Sequence, residues 1–418
     1  MSDSNLILKR ARKFNLLALC LWSVLVSACA TYQAEVHKSR QFLRENPAKA
    51  AELLKEKALA EGKDQLVYLL DYATALQTAK LYEESNKYYL IADRMAEVKD
   101  YHSISKQLTS IVVNEEMVQY KGDDYEKVLI NAMLAINFLC LGDLDGALVE
   151  TRRLIEKLEH YRVDGKKPYE QNHFATYLGA LIWESDRKWD DAYISFEKTY
   201  KLNPDIPYLK EDLIRAALRA QRGDTAKKWE KEFGIKRKKQ WFNKNQGELV
   251  LIHLQGWGPR KRPNPKWHRI PTLRGVPSYT KAAQLEVVGV GKEDTQKIYN
   301  LEKVAIKTLD DQYAPLIAKR IAAVAAKEVL ADQVRQKNEA LGALLGFAMH
   351  AVDRADLRQW STLPESFGIA KMRLKPGKYK IRARGLNAAG EPNDEVSPEM
   401  EVVVRKGKKT FVSFRTFQ

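Results

Sequence analysis

The sequence predicts a two-part chain: an all-α array of paired helices, then an α+β domain that ends in a small β-sandwich-like unit. Three observations predict it. From about Glu45 to Gly234, apolar residues recur at three- and four-residue spacing, with Pro and Gly confined to short gaps. After Gly234 the run Lys236-Arg237-Lys238-Lys239 leads into Gly247-Glu248-Leu249-Val250-Leu251-Ile252-His253-Leu254, which reads as a buried strand. Near the end, four short segments alternate in polarity around turn residues.

The N-terminus carries Lys9, Arg10, Arg12 and Lys13, then an almost wholly apolar stretch from Phe14 to Val26. That stretch is too short to span a bilayer as a stable helix but has the length of a signal-peptide core. It ends in Val26-Ser27-Ala28-Cys29, which resembles the lipobox of bacterial lipoproteins. Small side chains admit the backbone to a signal peptidase, and the Cys29 thiol is the group there that takes a diacylglyceryl thioether. Residues 1–28 are then a signal peptide, Cys29 the lipidation site and residues 29–44 a lipid-anchored tether. An ordinary cleaved signal peptide, or a short anchor with an incidental cysteine, is the alternative. Acyl chains hold a membrane at about 0.8 kcal/mol per buried methylene. Ala30, in place of Asp, points to the outer membrane under an enterobacterial-type sorting rule, with the protein facing the periplasm.

Composition narrows the partners. Of three cysteines, Cys20 leaves with the signal peptide and Cys29 is the lipid site, so Cys140, in an apolar stretch, reads as a core thiol. Lys and Arg number 70 against 54 Asp and Glu, a formal net charge of +16. In a periplasmic protein this favours anionic headgroups, cell-wall polymers or an acidic protein over nucleic acid. A generally basic, soluble surface explains the same numbers.

Residues 45–235 show a repeat. Tyr177-Leu178-Gly179-Ala180-Leu181-Ile182-Trp183, then Trp189-Asp190-Asp191-Ala192, Phe196 and Asn203-Pro204, resemble a tetratricopeptide repeat. Ala180 and Ala192 are the small residues where the two helices meet, Phe196 their large core partner, Trp183 the filler between them and Pro204 the end of the unit. Ala226 lies 34 residues after Ala192, the period of this repeat. Weaker copies place Ala135, Phe138 and Ala147, and before them Ala73, Leu76, Ser85, Tyr89 and Ala92, at equivalent positions; a partial unit starts near Asn46. Each pair buries its apolar face only by stacking on a neighbour, and the concave face of such a superhelix offers a long surface to a partner.

Residues 236–282 read as a basic strand-loop linker and residues 283–418 as the α+β domain, β-rich from about 366. Gln284–Val290 and Glu302–Ile306 are expected strands. A long helix is expected over about Tyr313 to Gln336 and a second over Leu341 to Asp356. Residues 370–374 and 379–384 form one expected hairpin, and residues 401–404 and 410–414 another around Lys406-Gly407.

The segment Asp353-Arg354-Ala355-Asp356-Leu357-Arg358-Gln359-Trp360-Ser361-Thr362-Leu363-Pro364, with the Gly247–Pro263 strand-loop and the repeats, resembles a family of bacterial lipoproteins with tetratricopeptide-like N-terminal halves. The resemblance implies architecture and location rather than mechanism, with partners among other envelope lipoproteins. Trp183, Tyr193, Arg354, Arg358 and Trp360 are the candidate partner-binding residues. Arg354 and Arg358 with Asp353 and Asp356 either form an ion-pair cluster or cap the helix and pack Trp360.

Motifs for chemistry are weak. Gly289-Val290-Gly291-Lys292 lacks the spacing and the Ser/Thr of a phosphate loop. His350, Asp353 and Asp356 share helical spacing but lack further metal ligands. No catalytic residue, metal site or cofactor is assigned. The basic run includes Lys236, Arg237, Lys238, Lys239, Arg260, Lys261 and Arg262, interleaved with Trp241, Trp257 and Trp267. It suits a headgroup or glycan surface, and equally a folded linker with inward tryptophans. The expected function is a non-enzymatic outer-membrane scaffold for a partner protein. Its rivals are a direct peptidoglycan or anionic-lipid binder, and a cell-wall hydrolase with acids converging near Glu286, Asp294 or Asp353.

Overall fold

The structure is a computed structural model that describes residues 31–101, 119–163, 173–243, 245–265, 270–339 and 355–418. Ten helices precede the first strand among the described residues: α1 (Thr31–Phe42), α2 (Pro47–Leu59), α3 (Gln65–Thr78), α4 (Tyr82–Tyr101), α5 (Asp124–Leu141), α6 (Leu144–Val163), α7 (His173–Ser185), α8 (Trp189–Leu202), α9 (Leu209–Arg219) and α10 (Gly223–Phe233). Each packs chiefly on its sequence neighbours, as a solenoid does. The small residues of the repeat, Ala73, Ala92, Ala135, Ala147, Ala180, Ala192 and Ala226, are fully buried where helices approach. Tyr177 meets Phe196 edge to face at 5.7 Å. The turn after α5 works as the sequence predicts: Gly142 takes a left-handed φ of 78°, and Asp143 accepts from the Gly146 amide at 2.9 Å. The array is therefore tetratricopeptide-like.

The odd-numbered helices differ from the even ones. In α3 every residue from Leu66 to Gln77 is buried, whereas α8 buries only Ala192, Tyr193, Phe196 and Thr199. A helix buried all round has packing on two sides. The second side is the C-terminal half of the chain: residues 360–362 lie on α3, and two strands, residues 409–415 and 296–300, lie on α5 and α7.

Eleven strands follow: β1 (Gly247–Gln255), β2 (Arg260–Pro263), β3 (Pro271–Arg274), β4 (Ala282–Val287), β5 (Gly291–Asp294), β6 (Gln296–Asn300), β7 (Ser366–Leu374), β8 (Gly377–Leu386), β9 (Pro392–Val396), β10 (Met400–Val404) and β11 (Lys409–Arg415). One sheet has the order β11-β1-β7-β6, a second the order β10-β8-β4-β5 with β9 on β8, and β2 pairs with β3 apart from both. Strand β1 is parallel to β11 and antiparallel to β7. Successive strand residues face opposite ways. Leu249 and Leu251, with Ala370 and Leu374, meet Leu285, Val287, Ile381, Ala383, Val402 and Val404 of the second sheet. Val250, Ile252, Leu254, Phe367, Ile369 and Phe411, on the opposite face, join the helix core. The molecule is thus three layers deep: helices, sheet, sheet.

Several expectations change. The segment read as a tether is helical from Thr31, and its Tyr32, Val36, Ser39 and Leu43 are buried, because they share one face at helical spacing. The segment read as a linker contains β1, whose nine residues are all buried, so residues 236–282 hold the centre of the first sheet. The β-rich end is not a separate unit from residue 366: its strands are divided between two sheets that also need β1, β4, β5 and β6. Glu302–Ile306 is helix, not strand. The Asn300 side chain caps helix α11 (Leu301–Lys337) by accepting from Lys303 N at 2.8 Å, so this helix starts well before Tyr313. Val288 to Val290 leaves the expected strand in a tight turn at Gly289, φ 75°, which makes the Gly289–Lys292 motif a hairpin tip. The expected helix over Leu341 to Asp356 lies outside the described residues up to Arg354, and residues 355–360 are not helical. No described helix is long and apolar enough to cross a membrane.

Candidate functional site: the filled inner face and the basic cleft at its end

The concave face predicted for a partner is occupied by the chain itself. Residues 355–367 run across the inner helices and contribute the largest fully buried side chain, Trp360. The Trp360 indole N–H donates to Thr74 Oγ1 at 2.9 Å, and its amide donates to Glu126 Oε1 at 2.6 Å. Its ring packs on Tyr89, centroids 5.7 Å apart. Asp71 accepts four hydrogen bonds: from Tyr32 Oη (2.9 Å), Ser361 Oγ (3.0 Å), Thr362 N (3.0 Å) and Thr362 Oγ1 (2.8 Å). Arg358 pairs with Asp64 at 2.8 Å and Asp356 at 2.6 Å. Phe367 stacks on Phe174, centroids 4.5 Å apart. Burial raises the Asp71 carboxyl against these donors. Burial, then the charge of Asp123, raises Glu126 to about 7 despite Lys261 and Tyr120.

A second buried network closes the other end. Glu184 accepts two bonds from Arg215, at 2.7 and 2.8 Å. Arg215 reaches Asp212 at 2.8 Å, and Asp212 accepts from Lys371 at 2.6 Å and Tyr177 Oη at 2.7 Å. Lys409 bridges Glu184, at 3.0 Å, to Glu248. Three carboxylates face three cations, so the charges compensate inside a low-dielectric contact. Burial alone would raise Glu248, but Lys409, Lys371 and Arg215 outweigh it and hold the carboxyl at about 2. Glu184 is lowered likewise by Arg215 and Lys409 against its burial.

Above this network opens a cleft of about 590 Å³. Its acids, Glu184 and Glu248, are paired inward with Arg215 and Lys409, and Glu248 also lies 3.7 Å from Arg373. Its rim carries Arg187, Arg219, Arg373, Lys406 and Lys408, with Trp189 and Trp241 on the walls. Arg219 is held by the Trp241 carbonyl at 2.9 Å and lies over the Trp189 and Phe242 rings. Arg373 donates to the Gln240 carbonyl at 2.8 Å. Among the described residues, Arg187, Lys406 and Lys408 have no ion-pair partner. A rim of cations over neutralised acids focuses positive potential on whatever enters.

The residues singled out in the sequence are dispersed. Trp183 is half-buried, its ring flanked by Arg152 and Lys188 at 4.9 Å each, rather than filling the gap between helices. Tyr193 is buried, donates to Glu197 at 2.7 Å and accepts from Trp229, which withdraws it from a partner. Arg358 and Trp360 are consumed by the internal contact, so packing of Trp360 replaces the partner role; Arg354 and Cys29 lie outside the described residues. Lys236, Arg237, Lys238 and Lys239 are exposed, with Arg237 on Glu230 and Lys238 on Glu211. Arg262 is exposed too, but Lys261 is buried against Asp123 at 2.7 Å and Arg260 is half-buried, so the basic surface splits in two. Trp241 points inward. Glu286 and Asp294 sit on the β4–β5 hairpin, paired with Lys292 and Gln284, and do not converge. No group of three His, Cys, Asp or Glu among the described residues could hold a metal ion; His350 and Asp353 lie outside them. Sequence reasoning missed the rim residues Arg187, Arg219 and Arg373, which are single charges on unrelated elements. The signal for Lys406 and Lys408 was present as a basic turn.

No family model matches the chain, and no curated protein matches it. Similar solved structures include MamA from Desulfovibrio magneticus RS-1 (16% identity, TM-score 0.32, covering 49% of this chain and 93% of that one). A putative kinesin light chain with nearly identical TPR-like repeats from Podosopora anserina has 11% identity and a TM-score of 0.33, covering 48% and 92%. A tetratricopeptide repeat protein from Parabacteroides merdae has 16% identity and a TM-score of 0.22, covering 50% and 80%. The tetratricopeptide-like character of the array stands on its helix pairing and buried small residues; scores this low add nothing to it.

Proposed function

We propose that this chain is a non-enzymatic scaffold of the bacterial envelope that holds an acidic segment of a partner protein in the basic cleft. The observation that carries the reading is the cleft rim, where five cations surround two carboxylates already neutralised from below. The inner face, filled in cis, is unavailable, so the partner meets the edge of the array rather than its concavity. The Val26-Ser27-Ala28-Cys29 box and Ala30 support lipid anchoring at the outer membrane, facing the periplasm, beside other lipoproteins.

A photo-crosslinker placed at Lys408 in intact envelopes tests the cleft. The expected product is a crosslink to an acidic peptide, lost when the rim cations beside the crosslinker are reversed in an Arg187→Glu/Lys406→Glu double variant of unchanged folding. Crosslinks that survive charge reversal would remove the reading. Mass spectrometry of the mature N-terminus, with Cys29→Ala beside wild type, tests the anchor separately: an unmodified N-terminus in the soluble fraction would exclude it. Exposure of Lys236 to Lys239 favours a second reading, direct binding of an anionic surface, which predicts salt-sensitive sedimentation with anionic vesicles or sacculi.

A further inference from the structure

Trp257, in the loop after β1, packs at the margin of the helix core and takes no part in the basic cleft. Three guanidinium carbons approach its half-buried ring: Arg40 of α1 at 4.2 Å, Arg260 of β2 at 5.6 Å and Arg415 of β11 at 5.8 Å. Phe417 packs on the same indole at 5.0 Å. Elements remote in sequence thus deliver three cations to one ring. Burial, then the charge of Arg40, brings Arg260 down to about 9; burial, then Arg260 and Arg40, does the same to Arg415.

These cations are not compensated. Among the described residues none of the three makes an ion pair. Arg415 donates through Nη2 alone, to the carbonyls of Gly256, Thr362 and Leu363. Arg40 Nε, Arg260 Nη2, and Arg415 Nε and Nη1 are buried with no hydrogen-bond partner. Two acids act on them from nearby, Asp71 on Arg40 and Arg260, and Glu395 on Arg415. Asp71 already accepts four bonds, and Glu395 accepts from Thr280 Oγ1 and the Phe417 and Gln418 amides. The facing phenols of Tyr32, Tyr89 and Tyr125 are raised by burial and stay neutral.

Buried donors without partners, on mutually repelling cations, are costly unless an anion completes them. We propose that Arg40, Arg260 and Arg415 around Trp257 form a binding site for a phosphate group. A phosphate carries lone pairs enough for the four unused nitrogens, and guanidinium forks match its oxygens. Arg415 and Phe417 also line a cleft of about 700 Å³ against the α1–α2 turn, which gives an approach.

The purified chain is tested by calorimetry and thermal unfolding with inorganic phosphate against chloride at equal ionic strength, and by flotation with phosphatidylglycerol vesicles with and without phosphate. Saturable binding and a Tm that climbs with phosphate are expected. In Arg40→Gln and Arg260→Gln, whose native side chains make no hydrogen bond among the described residues, binding falls at least tenfold. Without phosphate these variants unfold at the same temperature as wild type or higher, since a repelling charge is gone. Flotation that phosphate competes away identifies a lipid headgroup, and binding without flotation a soluble phosphate; either sustains the site. A wild type with no phosphate-specific shift, or an Arg260→Gln that loses stability and keeps the shift, overturns it.

Discussion

Trp360, Asp71 and Glu126 show what single residues do here. Trp360 fills a space between α3, α4 and α5, and both its N–H groups are bonded. Trp360→Ala is expected to cost about 3–5 kcal/mol, read from urea unfolding, because the cavity opens in the contact between the halves. Three of the shifted groups illustrate the pH dependence. Glu126 has a folded value near 7, above its unfolded 4.5, so the folded chain keeps a proton the unfolded chain has released. Its contribution to stability is present below pH 4.5 and fades as pH rises through 7. Glu248 is opposite: its folded value near 2 lies below 4.5, so its contribution is present above pH 4.5 and lost toward pH 2. Burial lowers His253 to about 3 from 6.5, so its contribution is present above pH 6.5 and lost as pH falls toward 3. Urea midpoints measured from pH 4 to 8 should show Glu126→Gln gaining on wild type as pH rises from 4.5 to 7; a constant difference would reject the assignment.

At the scale of elements, strand β1 carries the C-terminal half. Its apolar centre, residues 249–252, is buried on both faces as a central strand requires, which the sequence announced, although all nine residues were placed in a linker. Gly247 begins it where a Cβ would come within 2.4 Å of the Arg405 carbonyl oxygen and 2.7 Å of Val404. Gly247→Ala should cost about 1–3 kcal/mol, since backbone must move, and should speed hydrogen exchange in the β10–β11 turn. Unchanged exchange at residues 405–409 would argue that the turn between the two sheets adapts freely. Helix α11 shows the opposite case. Leu301 to Ile306 is apolar enough for a strand, and only the cap signal of Asn300 with Glu302 in the first turn distinguishes it.

Over the whole molecule, the repeats and the sheets form one cooperative body. The helix core includes Val250, Ile252, Phe367, Ile369 and Phe411 of the sheet, so neither half covers its own apolar surface. Residues 29–243 expressed alone are expected to aggregate or to bind hydrophobic dyes, and residues 245–418 supplied in trans are expected to restore a sharp transition. A monomeric, dye-silent repeat fragment would mean that the inner face is stable open, and would return it as a partner surface.

The sequence by itself determined the helices and their pairing, because apolar spacing, small residues and turn glycines act within one or two turns of chain. It also determined that β1 is a buried strand and that the end is β-rich. Only the tertiary structure decided what the inner face holds. Asp71 meets Thr362 across 291 residues and Asp212 meets Lys371 across 159, and no local pattern marks a buried carboxylate whose donors lie that far away. The same holds for the arginines at Trp257 and the cations at the cleft rim. Their charges are visible one by one, but their meeting depends on the first sheet closing against the helices, which is driven by apolar area and has no sequence period.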